Sequence, residues 1–584
     1  MQNSGGIFRF LFLLLGAFLL FRYFGGSKQE GGHAQGIRQE AQLTPSPRAA
    51  YQYCEIKTDR FVATLTTRGA TLTHFKLTTP KYTQHGAPID LSTTPHPGVA
   101  LSDPDAENPN KPGLHEFRQQ LFVQWRNPTS PQSSNAPWNV AYDSMDYALL
   151  PSDGKRCDFV YKDAQVQIEK SFVAADTPYG LLVKNTITNL AAEPRRHAMA
   201  IDTAAWRLTS EVKGKAFRVS PYVTRTECKI ANDKAVRLLP DAFEPDDFKE
   251  PPFAATQPWG WYQVSGRPSF TAISNAYFSQ ALAPVQSPNV PECQLQIENR
   301  FNNDSASDPS SGNFYRARLA FPDRLLQPGG SDSYEVLAYV GPKERQVLAE
   351  AGNATHELSD LIDLGFFTSI AKVLVGFLLA VHSVLPNWGV AVVLLTFTAR
   401  LILFPLMWPG IKNMIRMREL KPELDQLNEK FKDDARAKGV AQMELYRKHN
   451  VNLFMGCLPT LLTMPVWFAL YTTLQTAVEL YNIPFLWFPD MSQPDPYFVL
   501  PFVIGATYFV QQKVMPMQGD PVQQKMMMYF MPSMFTVFML FLPSGLGVYM
   551  FTNSVLGIVQ QQAVERHVRR TVGVSNDKKK LPKA

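Results

Sequence analysis

The sequence predicts a polytopic α-helical membrane protein with six spans and a large all-β domain outside the membrane. Three observations lead to this fold class. Apolar stretches of spanning length lie at residues 7–24 and again in series from residue 388 onward. Residues 51–342 hold no such stretch and are rich in Thr, Val, aromatics, Pro and Asn. Basic residues concentrate in the segments 411–450 and 566–584, which sets the orientation of the spans.

The composition agrees with a mixture of membrane and soluble parts. The chain has 584 residues, 45% of them hydrophobic, and its mean hydropathy is near zero. The formal charge of +6 is concentrated in the C-terminal RHVRRTVGVSNDKKKLPKA. Such a tail suits anionic lipid or an acidic or nucleic-acid partner such as a ribosome, and it is equally typical of a solvated end. We predict no sequence-specific nucleic-acid recognition.

The five cysteines carry no metal or redox motif. There is no CxxC pair and no histidine at ligand spacing, so zinc, haem and thioredoxin-type chemistry have no support, and we predict neither a metal nor a cofactor. Cys54, Cys157, Cys228 and Cys293 lie in the soluble part. They form one or two disulfides if that part faces an oxidising compartment, or stay unpaired, and the sequence leaves both open.

The N-terminal apolar run, IFRFLFLLLGAFLLFRYF at residues 7–24, is either a signal peptide or the first span. We predict a retained span, because no small-x-small cleavage site follows it directly. The corresponding domains are a transmembrane anchor at 1–27 and a polar linker at 28–50.

Residues 51–345 are predicted to form the all-β domain. The segment 61–77 has two short, partly alternating runs around a glycine turn, and 166–190 repeats this form, as sandwich strands do. We find no nucleophile motif, phosphate loop or metal cluster in this part of the sequence. A scaffold or docking role is therefore favoured over a binding groove.

Residues 366–386 are long enough to span, but the number of crossings favours an interfacial helix inside a linker region at 346–386. If the first span is kept and this helix lies on the outer surface, six crossings place both basic segments in the cytoplasm. A seventh crossing would place both outside.

The segment 411–450 has the pattern of a helical hairpin with ten Lys/Arg. Leu420, Leu424, Leu427 and Phe431 recur at helical spacing, DDARAKG is predicted to break the helix, and AQMELYRKHN is predicted to form the second helix. We expect a short antiparallel coiled coil in the cytoplasm. It serves either as a solvated connector or as a contact for a ribosome, nascent chain or other partner.

The central span, residues 388–408, carries Arg400 near its middle. A helix of this length covers roughly 30 Å, and a charged residue at its centre costs about 2.5 to 3.5 kcal/mol. Snorkelling is the simpler explanation. However, helical side chains lean toward the N-terminus, which directs Arg400 away from the nearer interface and onto the face of Thr396. We predict that Arg400 faces a water-containing cavity inside the helix bundle.

The four spans that follow are predicted near 453–475, 497–514, 525–542 and 545–562. They contain no Asp or Glu, so the counter-charge of Arg400 is expected from water, anions or a bound ligand. A lone cation among polar side chains such as Gln511, Tyr549 and Asn553 would draw a polar or acidic polypeptide segment partway into the membrane. The methionine-rich KMMMYFMPSMF offers a soft surface for apolar segments or simply fills the core.

Several motifs occur in order along the C-terminal half. They are TFTAR followed by FPL, MR-x-L-x-P, VNLFMGCLPTLLTMPVWFALY, PFLWFPDMSQPDPYFVLP, DPVQQKMMMYFMP, and PSGLGVY with a later QQQ. The chain resembles the YidC/Oxa/Alb family of membrane protein insertases in these motifs and in its whole layout. The resemblance is strongest over residues 384–565. The large outer domain is similar to that of the Gram-negative type, which is periplasmic.

The resemblance implies a β-supersandwich for the outer domain and a five-span insertase core at 387–565 that encloses a hydrophilic groove. It implies a non-enzymatic function, in which hydrophobic segments of nascent proteins move from the cytoplasm into the lipid bilayer, alone or with the Sec translocon. The implied location is the bacterial inner membrane, with both termini in the cytoplasm. The hairpin and the basic tail would contact the ribosome and the targeting machinery.

By the same resemblance Arg400 is the key charge of the groove, Thr396 is a groove residue, and Tyr549 lies on the helix that meets the substrate. The chain departs from the family at two places. Met550 stands where a second aromatic is frequent, and Asn553 and Ser554 stand where the order Ser-Asn is frequent.

The alternative function is a secondary transporter that binds an anionic substrate at Arg400. It predicts an intramembrane acid for ion coupling and an internal repeat, and neither is visible in the sequence. An intramembrane hydrolase would need a nucleophile and a base, and the predicted spans contain no histidine.

Overall fold

The computed structural model describes residues 34–35, 52–84, 86–91, 119–124, 142, 145–208, 223–243, 261–285, 289–298, 312–352, 356–431, 434–449, 451, 453–514 and 526–571. The predicted first span, the anchor at 1–27, nearly all of the linker at 28–50 and the basic tail beyond residue 571 lie outside these described residues. The described residues fall into two compact units, a β unit within Ser27–Asp363 with Thr476–Glu479, and a helical unit within Leu364–Gln475 and Leu480–Ala584.

The β unit is built from short antiparallel strands. In chain order they are β1 (Ala34–Gln35), β2 (Tyr53–Lys57), β3 (Phe61–Thr66), β4 (Thr71–Leu77), β5 (Thr83–Gln84), β6 (Ala87–Pro88), β7 (Gln119–Gln124), β8 (Ala148–Leu149), β9 (Arg156–Lys162), β10 (Val166–Ala174), β11 (Gly180–Asn189), β12 (Arg195–Leu208), β13 (Arg225–Ile230), β14 (Ala235–Leu238), β15 (Trp261–Val264), β16 (Pro268–Ser274), β17 (Phe278–Pro284), β18 (Glu292–Glu298), β19 (Gly312–Ala320), β20 (Arg324–Leu326) and β21 (Ser331–Pro342). A short helix, α1 (Arg345–Ala351), and the 3-10 turns Pro240–Phe243 and Leu358–Leu361 complete it.

Two large sheets organise these strands. One has the order β14-β13-β16-β17-β21-β11-β10-β9-β8, and the other has the order β1-β15-β18-β19-β12-β20 with β7 also paired to β12. Smaller sheets are β2-β3-β4 and β5-β6. The β-rich character predicted for this part of the chain is confirmed. The segments 61–77 and 166–190 form the hairpins β3-β4 and β10-β11, the first around Gly69 with φ of +67°.

The core of the β unit lies where the two large sheets face each other. Apolar side chains from both sheets meet there, including Ala205, Ile273, Leu295 and Tyr315. Alternation along each strand supplies these side chains, since every second residue points into the sandwich.

Both pairs of cysteines in this unit are disulfide-bonded. Cys228 on β13 is bonded to Cys293 on β18 and so joins the two large sheets, and Cys54 on β2 is bonded to Cys157 on β9. The question that the sequence left open is thus answered in favour of two disulfides.

The β unit extends to Asp363, so the predicted domain boundary at residue 345 falls inside it. Ion pairs join carboxylates of residues 357–363 to cations of β13 and β14. These are Lys229 with Glu357 and Asp360, and Arg225 and Arg237 with Asp363. Because the paired residues are far apart in the sequence, no local pattern predicts these ion pairs.

The helical unit contains eight helices within its described residues. They are α2 (Thr368–Val384), α3 (Trp388–Glu419), α4 (Lys421–Lys430), α5 (Ala435–Lys448), α6 (Leu453–Gln475), α7 (Val499–Val514), α8 (Met531–Met539) and α9 (Ser544–Thr571), with a π-helical turn at Met526–Phe530 before α8. A 3-10 turn, Val478–Leu480, begins among the residues assigned to the β unit. Helix α9 packs against α3 and α7, α8 packs against α7, and α6 packs against α2 and α3.

In the described part of the chain, one helical stretch is long and apolar enough to cross a membrane. It is Trp388–Met417 within α3. The apolar helices at Thr368–Val384 and Met526–Met539 are shorter. Helices α6, α7 and α9 coincide in position with predicted spans, and the number of six spans stays a prediction. Helix α3 continues beyond the predicted span and takes in the start of the segment 411–450.

Helices α4 and α5 form the predicted hairpin, but the predicted break is wrong at one end. Helix α5 begins at Ala435, inside DDARAKG, because Asp434 caps it by accepting hydrogen bonds from the backbone N–H groups of Arg436 and Ala437. Gln442 Nε2 donates across the hairpin to Asn428 Oδ1 at 2.8 Å.

Helix α2 is amphipathic. Its buried residues Ala371, Leu374, Val375 and Leu378 recur at helical spacing, and α2 packs against α3 and α6. On the opposite side Val373 is 71% exposed. This pattern is compatible with an interfacial helix, and the interfacial placement stays a prediction.

Candidate functional site

Arg400 lies on the side of α3 that is packed against other helices. Large apolar residues elsewhere on this helix are exposed, among them Phe397, Leu401 and Ile402. Arg400 follows Thr396 by four residues, about one helical turn, and its side chain reaches α9. The snorkelling alternative therefore does not describe this arginine, because its guanidinium is bonded within the helix bundle.

Two side-chain amides of α9 hold the guanidinium. Arg400 Nε donates to Asn553 Oδ1 at 2.8 Å, and Nη1 donates to Gln560 Oε1 at 2.9 Å. Between these two residues lies Gly557, on which an added Cβ would be 2.9 Å from Nη2 and 3.2 Å from Nη1 of the same guanidinium. Positions 553, 557 and 560 share one face of α9, since they are separated by four and three residues.

No carboxylate pairs with Arg400 among the described residues. The sequence led us to expect the counter-charge from water, anions or a ligand, and this stays a prediction. The direct hydrogen-bond partners in the described structure are two neutral amides. Amide oxygens satisfy the donors but carry no formal charge. The positive charge of Arg400 is therefore held in place without being neutralised.

The other predicted site residues, Thr396, Tyr549 and Gln511, differ in burial and in hydrogen bonding. Thr396 is 1% exposed, and its hydroxyl donates to Val392 O at 2.7 Å within its own helix. Tyr549 is buried on α9, within electrostatic reach of the Arg400 guanidinium. Gln511 on α7 is half-buried, and its Oε1 is buried and makes no hydrogen bond in the described part of the protein. The structure thus brings together Arg400, Asn553 and Tyr549.

The sequence did not single out Gly557, and Gln560 entered only as the first residue of the QQQ motif, without a site role. A signal for them exists, because a glycine and an amide follow Asn553 at helical spacing in an apolar segment. That signal does not show which face of α9 meets α3. Among the described residues, no group of His, Cys, Asp and Glu is arranged to hold a metal ion.

Comparisons with known proteins cover both units. The family model described as 60Kd inner membrane protein matches residues 380–571, and the model described as YidC periplasmic domain matches residues 54–377. A membrane protein insertase YidC of Anaeromyxobacter dehalogenans (strain 2CP-C) is 36% identical over 452 residues, covering 70% of this chain and 79% of the relative. The membrane protein insertase YidC of Geobacter sulfurreducens is 32% identical over 420 residues, 72% of each chain.

A solved structure titled as an active YidC insertase with the first transmembrane domain resolved is also similar. It is 16% identical, covers 95% of this chain and 98% of its own, and has a TM-score of 0.35.

Proposed function

The chain belongs to the YidC family of membrane protein insertases, and from this premise we propose that Arg400 is the charge by which it draws polar client segments into the membrane. Its function is the insertion of proteins into the membrane. The observation that carries the proposal is the guanidinium held by Asn553 and Gln560 with no carboxylate beside it in the described structure.

The proposed mechanism separates the polar and apolar parts of a client. An acidic or polar flank enters a hydrophilic groove beside Arg400, where the uncompensated charge lowers its cost of leaving water. The adjacent hydrophobic segment then moves into lipid along exposed apolar side chains, of which Phe502 on α7 and Val537 on α8 are examples. No step of this mechanism makes or breaks a covalent bond.

The groove is proposed to be lined by Arg400, Thr396, Gln511, Tyr549 and Asn553. Support is strongest for Asn553, which bonds Arg400 directly, and for Tyr549, which lies near it. The unpartnered Oε1 of Gln511 marks a polar atom that water or a client segment would satisfy. Thr396 is assigned to the groove for its position on α3, one turn before Arg400, although its hydroxyl is bonded within its own helix.

The proposed topology has six spans with both termini in the cytoplasm of a bacterial cell. It consists of the anchor at 1–27, the β domain from 51 in the periplasm, an interfacial α2 and a five-span core at 387–565. A periplasmic-domain match for residues 54–377 and an inner-membrane match for residues 380–571 support this order. The partners proposed are nascent membrane proteins, the Sec translocon, and the ribosome and targeting machinery, the last two through the hairpin and the basic tail.

Protease protection in reconstituted vesicles tests the role of Arg400. A client with an acidic translocated tail should be protected by the wild-type protein and poorly protected by Arg400→Ala. Arg400→Lys should keep part of the activity, because it keeps the charge but loses the two-point hydrogen bonding of a guanidinium. Unchanged protection with Arg400→Ala would remove the mechanism.

A further inference from the structure

We propose that Asn553, Gly557 and Gln560 form a cradle that positions the Arg400 guanidinium to receive a carboxylate from a client segment. The proposal rests on the proposed function and deepens it. It assigns a positioning role to two residues, Gly557 and Gln560, for which no role has yet been given.

The cradle fixes the orientation of the guanidinium. Arginine has a long side chain with many rotamers. Its conformational freedom must be given up, at a cost in entropy, before the guanidinium makes a defined contact. Here Nε and Nη1 are bonded to two side chains on one helix, so the plane of the guanidinium is fixed relative to α9. A client segment then meets a charge whose ordering has already taken place.

The cradle binds the guanidinium without neutralising its charge. A guanidinium has five N–H donors, and the described residues engage two of them, which leaves three for a ligand. A glutamate at position 560 would satisfy the same donor but would also neutralise the cation permanently. An amide at this position holds Arg400 while leaving its full charge for the client.

Gly557 leaves the space that the guanidinium occupies. The guanidinium lies so close to Gly557 that a methyl group there would displace Nη2 and Nη1. Since these atoms are the end of a flexible side chain, Gly557→Ala is expected to move the guanidinium rather than to unfold the helices. This glycine is therefore a requirement of the cradle and not of α9, which would gain from alanine.

The experiment compares two clients that differ only in an acidic or neutral translocated tail, with full-length variants purified as monodisperse protein and reconstituted at equal amounts. Gln560→Glu should lower insertion of the acidic client by about tenfold, because a neutralised guanidinium loses its charge-assisted hydrogen bond to the client carboxylate, and such a bond contributes free energy of that order. Gln560→Met and Gly557→Ala should lower it by a smaller factor. All three should lower insertion of the neutral client less than that of the acidic client.

Gln562→Glu is the matched control, because it adds the same charge to an exposed position on the same helix. It should insert both clients as the wild type does. The cradle is overturned if Gln560→Glu matches Gln562→Glu, or if the cradle variants lose both clients equally.

Arg400→Ala separates this proposal from the function on which it rests. If Arg400→Ala abolishes the preference for the acidic client while Gln560→Glu and Gly557→Ala preserve it, the groove charge stands and the cradle falls. If Arg400→Ala preserves the preference too, both fall.

Discussion

Cys228 and Cys293 are bonded across the interior of the β unit, so one covalent link ties the nine-stranded sheet to the seven-stranded sheet. Their Cα atoms are 6.3 Å apart, and 65 residues separate them in sequence. The second disulfide, Cys54–Cys157, spans 103 residues. Disulfides of this kind persist in oxidising compartments such as the bacterial periplasm, in agreement with the family match of this part of the chain.

Removal of the inter-sheet disulfide is predicted to destabilise the β unit. A closed loop of this length constrains the unfolded chain by about 4 kcal/mol in the chain-entropy account. The double variant Cys228→Ser with Cys293→Ser should therefore lower the melting temperature of the β unit by about 10 °C. Thermal unfolding of the detergent-solubilised full chain measures this, with Cys457→Ser as the control for loss of a cysteine. An unchanged melting temperature would show that the link adds nothing.

Asp202 is predicted to be the carboxylate of the seven-stranded sheet whose replacement destabilises the fold most. It is fully buried and accepts hydrogen bonds from Arg316 Nη2 and Arg318 Nε, each at 2.6 Å. Burial raises the pKa of Asp202, but the charges of Arg318 and Arg316 outweigh burial and hold that pKa below its ordinary value.

Asp202→Asn should thus cost about 3 to 5 kcal/mol, because the neutral amide leaves buried cationic charge uncompensated. The midpoint of urea unfolding measures the loss. Asp323→Asn is the matched control, since its pair with Arg196 is partly exposed and should contribute less than about 1 kcal/mol. Equal midpoints for the two variants would contradict the prediction.

How much of this fold and site the sequence predicts depends on whether the signal is local. The hairpins β3-β4 and β10-β11 follow from alternation and turn residues, and Arg400 stands out because a charge inside an apolar run is rare. The start of α5 was also within reach, since Asp434 is a good N-cap before helix-forming Ala and Arg. The contact of Gln560 with Arg400 could not be predicted, because tertiary packing decides which face of α9 lies against α3.

His197 is predicted to make the β unit less stable in mild acid. It is 1% exposed, and its Nε2 lies 2.8 Å from the Tyr334 hydroxyl. Burial lowers the pKa of His197 to about 4, although Asp332 acts in the opposite direction. The unfolded chain binds a proton below about pH 6.5 whereas the folded chain does not, so stability falls as the pH drops from about 6.5 to about 4.

The loss across this window is roughly 3 kcal/mol for a shift of this size. His197→Gln keeps a polar amide near Tyr334 but does not titrate, so its stability should depend less on pH across the same window. Urea unfolding between pH 4 and pH 7 makes the comparison. Parallel pH profiles for the variant and the wild type would show that His197 is not the group responsible.

Gly505 is predicted to be required for the contact between α7 and α8. A Cβ at this position would collide with Thr536 Oγ1, and the Thr536 hydroxyl is held in place because it donates to Pro532 O at 2.8 Å. Gly505→Ala should therefore cost about 1 to 3 kcal/mol by overpacking, despite the better helix propensity of alanine. Adding Thr536→Ala should recover most of that loss.

Gly376→Ala on α2 is the control, since nothing lies within 4 Å of an added Cβ there, and it should be neutral or slightly stabilising. Thermal stability in detergent, followed as the monodisperse fraction after heating, ranks the variants. If Gly505→Ala is as stable as Gly376→Ala, the two helices have room to separate and the close contact is not a constraint on sequence.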